Sequence, residues 1–179
     1  DIPVTSELFL VRHAQASFGS DDYDRLSALG HRQARWLGEH FRSRNLAFDQ
    51  VICGRMVRHR ETAEGIFHGM GQDFGGPDLD ASWNEFDFEA IVDAYLDLRP
   101  DERPAPEASA GSFSRLLRRA LQAWTEDRLP APLPERWPQF EERVRQGLTA
   151  MTAQPGDGRR VLLVSAGGAI ATALSHVLQ

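Results

Sequence analysis

The fold of this chain is decided by the stretch Leu8-Phe9-Leu10-Val11-Arg12-His13. Four apolar residues in succession, with polar residues on both sides, predict a buried β-strand. Ligands bind at the carboxyl ends of strands in open α/β sheets, and this strand ends on an arginine and a histidine. A guanidinium binds phosphate in a bidentate manner, and a neutral imidazole nitrogen is a nucleophile. Arg12 and His13 therefore predict an anion site that suits phosphate best.

Two further apolar runs repeat the pattern of a buried strand with polar or glycine residues after it. Val51-Ile52-Cys53 leads through Gly54 towards a helix, and Val161-Leu162-Leu163-Val164 ends in Ser165-Ala166-Gly167-Gly168. A weaker strand is predicted at 79–83. Apolar residues at helical spacing predict helices over about 28–43, 55–68, 88–98, 113–124, 137–151 and 169–178. Strands that alternate with helices predict an α/β fold, a three-layer α/β/α sandwich with a largely parallel central sheet.

The length of 179 residues and the lack of a repeat or long linker predict a single domain over 1–179. The segment 86–138 contains proline-rich connections and is expected to form an insert that covers the site and sets specificity. The chain stops at Gln179 inside an apolar segment, without a helix-stop signal, so a truncated C-terminus is expected.

Composition excludes several functional classes. The net charge of −6 does not suggest a nucleic-acid surface. Cys53 is the single cysteine, which excludes an intrachain disulfide and a cysteine-based zinc site. No metal-ligand spacing is visible, and no metal or cofactor is expected. The sequence shows no apolar run of membrane length and no signal peptide, which predicts a cytoplasmic protein with no membrane partner.

Taken in chain order, five segments resemble the motifs of the histidine phosphatase superfamily, the phosphoglycerate-mutase-like enzymes. They are Arg12-His13, the Leu-Gly-x-x-Gln-Ala segment Leu29–Ala34, the segment Gly54–Ala63, Asn84-Glu85-Phe86 and Ser165-Ala166-Gly167-Gly168. The third corresponds to a Ser-Pro-x-x-Arg-Ala-x-Gln-Thr-Ala element and matches it at Arg58, Thr62 and Ala63. The resemblance runs from Leu8 to about Ala173 and implies a phosphoglycerate-mutase-like fold.

The resemblance also implies roles for four residues. His13 is the nucleophile and becomes phosphohistidine, while Arg12 and Arg58 bind the phosphoryl oxygens. Glu85 protonates the leaving oxygen and then activates water. Two guanidiniums beside an imidazole disfavour its protonated form, which would keep His13 neutral and nucleophilic. Phosphoryl transfer of this kind depends on positioning and charge neutralisation, and the phosphoenzyme route needs no metal.

Position 166 is the main departure from the family pattern, because Ala166 stands where the family has its second histidine. That histidine donates to the phosphate, and the loss of one such donor typically lowers a rate by about 10²–10³-fold. The sequence thus predicts slow turnover with retained phosphate binding, and a large gain from Ala166→His. Unchanged turnover in that variant would mean that another donor has replaced the histidine. Two milder departures are Ala14 for glycine and Gly54 for serine.

The sequence therefore predicts a phosphomonoester hydrolase that works through phosphohistidine. The alternatives are a phosphomutase of the same superfamily and a non-catalytic protein that binds phosphate or phosphoprotein. The expected partner is a small phosphomonoester or a phosphoprotein, and a homodimer is left open.

Several further residues receive interpretations of their own. His59 is expected on a helix surface and Cys53 in the core as a small apolar residue. Ser165 is expected either to cap the last helix or to donate to phosphate. Gly30 and Gly38 are expected to allow close packing of their helix on the sheet.

Overall fold

The computed structural model describes residues 5–17, 22–105, 109–130, 132–153 and 158–178. Residues 106–108 and 131 of the predicted insert lie outside these described residues, as does Gln179.

The described residues form one parallel sheet with helices between its strands. The strands are β1 (Glu7–Arg12), β2 (Gln50–Cys53), β3 (Asp78–Leu79) and β4 (Arg160–Ser165), in the order β1-β4-β2-β3. All three pairings are parallel. The helices are α1 (Ala28–Ser43), α2 (Val57–Met70), α3 (Phe88–Leu98), α4 (Ala110–Thr125), α5 (Trp137–Thr152) and α6 (Gly167–Val177). The predicted α/β class with a parallel sheet flanked by helices is confirmed.

The predicted strand over 79–83 is wrong in extent. β3 ends at Leu79, and Ala81–Trp83 is a 3-10 turn that Asp80 begins by accepting a hydrogen bond from the Ser82 N–H at 2.8 Å. An aspartate that bonds to its own following backbone favours a turn over a strand, which explains the early end. Trp83 is fully buried at the end of this turn.

The chain divides into two compact units, Asp1–Glu85 with Val144–Gln179, and Phe86–Arg143. The first unit contains the whole sheet, and its core is built of residues from α1, α2 and the central strands, including Phe41, Ile66 and Leu162. Cys53 belongs to this core and is fully buried, as expected. Within the second unit, three aromatic rings pack against Trp124 at tilted or edge-to-face angles, with centroid separations of 5.0–5.5 Å; these rings are Phe86, Trp137 and Phe140.

The described helices include none that is long and apolar enough to cross a membrane.

Gly30 and Gly38 permit close packing, but not on the sheet as predicted. A Cβ at position 38 would collide with the backbone carbonyl of Ile66 on α2, and one at position 30 would collide with the carbonyl oxygen of Gln15. The partners are therefore a neighbouring helix and the loop after β1, because α1 packs against α2.

Gly38→Ala is expected to lower the free energy of unfolding by about 3 kcal/mol, the upper part of the range for overpacking, because a backbone carbonyl has little room to shift. Gly111→Ala in α4 is the control. Its Cβ would meet only the Ser109 and Arg115 side chains, at 3.6 and 3.8 Å, and alanine favours the helix by about 0.5–1 kcal/mol. Urea denaturation measures both variants, and equal stability of the two would contradict this packing.

Candidate active site

His13 follows the last residue of β1 and is held by its backbone and by its ring. Its N–H donates to the Ser165 carbonyl at 2.8 Å, which continues the β1–β4 pairing. Its Nδ1 lies 2.7 Å from the Ala14 carbonyl oxygen. Because a carbonyl only accepts, Nδ1 carries the hydrogen in this contact, and Nε2 is left with its lone pair. A neutral ring held in this way has its basic lone pair on Nε2.

Arg58 from α2 lies against this nitrogen, with its Nε donating to His13 Nε2 at 3.3 Å. Burial lowers the pKa of His13, and the Arg58 and Arg12 guanidiniums lower it further, against the opposing effects of the Ala14 carbonyl and Asp24. The protonated form is disfavoured by desolvation and by like charge. The imidazole is consequently neutral at neutral pH, the state that a nucleophile requires.

Thr62, one turn after Arg58 on α2, joins the helix to the loop after β1. Its hydroxyl donates to the Arg58 carbonyl at 2.7 Å and accepts from the Ala14 N–H at 3.0 Å. The residue that orients the ring of His13 is thereby tied to the helix that carries Arg58.

Asp24 positions Arg58, and the sequence analysis did not identify it. Its carboxylate accepts from Arg58 Nη1 at 2.8 Å and from the Val57 N–H at 2.9 Å. Met56, the N-cap residue of α2, makes no side-chain cap bond, so Asp24 satisfies an N–H at the start of the helix from a distant loop. Arg58 is only 7% exposed, and a buried arginine needs such a partner.

Asp24→Ala is expected to lower the free energy of unfolding by about 1–2 kcal/mol, the loss typical of a helix cap. It is also expected to weaken orthovanadate binding, because the Arg58 fork loses its anchor. Asp22→Ala is the control, since the Asp22 carboxylate pairs with Arg25 at the surface and such pairs contribute little. Thermal unfolding and vanadate titration measure both; equal values for the two variants would exclude this role of Asp24.

A pocket of about 370 Å³ opens beside His13. Arg12 lies at its wall with an exposed side chain, and Gly167 at the start of α6 is close enough that its Cβ would lie 3.6 Å from Arg12 Nε. The remaining wall residues come from the loop after β1 and from two other segments; they are His13, Ala14, Gln15, Ala16, Tyr23 and Gln33.

Glu85 lies at the carboxyl edge of the sheet, held at the start of α6. Its Oε2 accepts from the Gly168 N–H at 3.0 Å, as expected of a carboxylate at a helix N-terminus. The interpretation of Ser165 as a cap of the last helix is wrong, because Ala166 is the N-cap residue of α6 and the Ser165 hydroxyl donates to the Trp83 carbonyl at 2.6 Å. That bond fixes the 3-10 turn just before Glu85 against the end of β4.

Ala166 is the N-cap residue of α6, is fully buried and makes no side-chain cap bond. It directly follows Ser165, whose carbonyl holds the His13 backbone. The residue in place of the family's second histidine is thus at the same sheet edge as His13, but it offers only a methyl group.

The prediction that His59 lies on a helix surface is wrong. Its side chain is fully buried, and its ring centroid lies 5.6 Å from that of His13, at an interplanar angle of 31°. α2 turns this residue inward with Arg58, Thr62 and Ala63, all of which are buried. Burial, followed by the charge of Arg58, lowers the pKa of His59 to about 3.

No three histidine, cysteine, aspartate or glutamate side chains come together as a metal site among the described residues.

Comparison with known proteins gives a family and a set of structural neighbours. The family model described as histidine phosphatase superfamily (branch 1) matches residues 8–179. No curated protein matches the chain. Among solved structures, phosphoglycerate mutase from Bacillus anthracis is 19% identical with a TM-score of 0.65, over 94% of this chain and 78% of the other.

Mycobacterial glucosyl-3-phosphoglycerate phosphatase is 23% identical with a TM-score of 0.59, over 96% of this chain and 78% of the other. Its complex with inorganic phosphate gives 21% identity and a TM-score of 0.60, over 96% and 78%. At these identities the likeness concerns the fold, and it agrees with the parallel sheet described above.

Proposed function

This chain belongs to the histidine phosphatase superfamily (branch 1), and we propose that it is a phosphomonoester hydrolase that works through phosphohistidine at His13. The observation that carries the proposal is the arrangement of the His13 ring. Its Nδ1 is bound to the Ala14 carbonyl, and its Nε2 faces the Arg58 guanidinium. A neutral imidazole with its lone pair directed at a cation is arranged to attack a phosphorus atom whose oxygens that cation binds.

In the first half of the reaction, His13 Nε2 forms a bond to phosphorus while the bond from phosphorus to the substrate oxygen breaks. Arg12 and Arg58 neutralise charge on the phosphoryl oxygens. The positive charge that develops on the ring is stabilised by the Nδ1–H bond to Ala14. Glu85 gives its proton to the leaving oxygen, so that an alcohol departs rather than an alkoxide.

In the second half, the Glu85 carboxylate takes a proton from water as that water attacks phosphorus. The bond between phosphorus and His13 Nε2 breaks, inorganic phosphate forms, and the ring returns to its neutral state. Glu85 is anchored through one oxygen to the Gly168 N–H. The carboxyl group so positioned acts first as the acid and then as the base.

Two of the structural neighbours carry names that fit this chemistry, a phosphoglycerate mutase and a glucosyl-3-phosphoglycerate phosphatase. A mutase returns the phosphoryl group to a sugar or acid hydroxyl, whereas a hydrolase gives it to water. The two outcomes share the phosphohistidine and differ in the acceptor.

The proposal is tested by incubating the chain with ³²P-labelled phosphomonoesters, quenching and measuring acid-labile label on the protein. The expected result is transient labelling that decays to inorganic phosphate. Transfer of the label to a second hydroxyl would instead indicate a mutase. Binding of inorganic phosphate without any labelling across a broad panel of phosphomonoesters would indicate a non-catalytic binding protein and overturn the proposal.

A further inference from the structure

The buried imidazole of His59 has no assigned role in the reaction above. Neither of its ring nitrogens has a hydrogen-bond partner of normal geometry in the described part of the chain, although both are buried. Buried polar atoms without partners are rare in folded proteins and cost stability, so each one calls for an explanation. An imidazole that serves only to fill space would be replaced at lower cost by an apolar side chain of similar size.

The position of His59 relates it to the nucleophile. Its ring is 5.6 Å from that of His13, centre to centre, and it follows Arg58 on the same turn of α2. The two imidazoles are therefore close neighbours, and His59 is the nearest aromatic ring that the structure records beside His13.

The surroundings of His59 are shaped for an imidazole. A Cβ at position 54 would lie 2.3 Å from His59 Nδ1 and 2.6 Å from the Trp83 carbonyl oxygen, so the glycine after β2 leaves room for this ring and for the 3-10 turn. Position 166 is alanine, and its methyl group is fully buried at the same sheet edge. The chain thus has a small residue at two positions near His13 where the family pattern has serine and histidine, and a histidine at position 59 where that pattern has alanine.

We propose that His59 is the second imidazole of the phosphate site and donates a ring N–H to the phosphoryl group held at His13. This inference rests on the proposed function, and it assigns to α2 the donor that the residue at 166 lacks. Arg58 and His59, consecutive in sequence, then bring a charged and a neutral donor to one anion. A neutral donor stabilises charge without adding to the repulsion that keeps His13 unprotonated.

The first test observes the unchanged chain and uses a substitution at the site only to assign signals. The full chain is labelled with ¹⁵N-histidine and titrated with inorganic phosphate, and the His59 signals are identified by their loss in His59→Gln. We expect a His59 ring N–H to move downfield and to exchange more slowly as phosphate binds. His68, exposed on the same helix, is the internal control and is expected to stay unchanged. Movement of the His13 signals without the His59 signals would overturn the proposal.

The second test separates the N–H donor from the space it fills. His59→Gln keeps a donor and His59→Leu does not, and thermal midpoints establish that both variants fold. His59→Leu is expected to lower kcat by about 10²–10³-fold with little change in KM, the loss typical of one preorganised donor. His59→Gln is expected to retain most of the activity. Equal losses of kcat in the two folded variants would mean that the His59 ring contributes packing and no hydrogen bond to the phosphoryl group.

Ala166→His distinguishes replacement of the donor from simple loss of it. In the unchanged chain we expect no gain in kcat, in place of the large gain that the sequence predicts, because His59 already supplies the imidazole. In the His59→Leu background we expect Ala166→His to raise kcat at least tenfold. A large gain in the unchanged chain would show that the site lacks a donor and would overturn the inference.

Failure of this inference is distinguishable from failure of the proposed function. The phosphate titration reports on His59 even if the chain forms no phosphoenzyme. Conversely, normal phosphoenzyme formation with unresponsive His59 signals would leave His13 as nucleophile and exclude His59 as donor.

Discussion

His13→Ala is expected to abolish acid-labile labelling of the protein and to lower turnover of every phosphomonoester by at least ~10⁴-fold, the order of loss that follows removal of a covalent nucleophile. The reason is that Nε2 of this ring is the one site atom in the proposal that forms a bond to phosphorus. Phosphate binding is expected to survive within about tenfold, because Arg12 and Arg58 remain. Labelling with ³²P-substrate and isothermal titration with inorganic phosphate measure the two effects separately.

His40→Ala is the matched control, since His40 is exposed on α1 and is expected to leave labelling and turnover unchanged. The result that would contradict the assignment is labelling of His13→Ala at the level of the unchanged chain. In that case His59 is the first candidate for the nucleophile, because the centroid of its ring lies 5.6 Å from that of His13.

The strands and helices were predictable to the extent that their apolar patterns are local. β1 and β4 each contain four apolar residues in succession, and α4 has an apolar row at helical spacing, so each was located to within a few residues. The length of β3 was overestimated because the Asp80 side chain accepts from the backbone N–H of Ser82 and so favours a turn. This local preference outweighs the apolar residues on either side. The packing partner of Gly38 was not predictable, since helix-on-helix contact depends on where the chain returns in space.

The site was predictable where a strand delivers the residue. Arg12 is the last residue of β1 and His13 follows it directly, and the start of α2 brings Arg58 to His13 Nε2 at 3.3 Å. Asp24 was missed because its partners are 33 and 34 residues away along the chain and nothing local marks it.

His59 could have been found from the sequence. It shares the spacing i, i+3, i+4, i+7 with Thr62, Ala63 and Ile66, which marks the buried face of a helix. All four side chains are buried in α2. The surface interpretation gave more weight to the polarity of histidine than to this spacing. The position of His59 beside His13 still depends on the tertiary structure, because α2 must first be placed against the end of β1.

Glu85→Gln is expected to lower kcat/KM for alkyl phosphates by about 10²–10⁴-fold, the usual contribution of a general acid. For 4-nitrophenyl phosphate the loss is expected to be much smaller in the phosphorylation step, because a nitrophenolate departs without a proton. Glutamine keeps an oxygen that accepts from the Gly168 N–H, so the start of α6 and the fold are expected to be preserved. Steady-state kinetics with the two substrate types, together with the labelling burst, measure the difference.

The leaving-group dependence separates proton transfer from binding. A residue that only positions substrate affects both substrate types equally, because the phosphoryl group that it holds is the same in each. Glu89→Gln is the control, since Glu89 is an exposed carboxylate on the following helix and is expected to change neither rate. In Glu85→Gln, labelling by 4-nitrophenyl phosphate and by alkyl phosphates could fall to the same degree, and that result would assign Glu85 to binding. The proton for the leaving oxygen would then have to come from the substrate phosphate itself or from water.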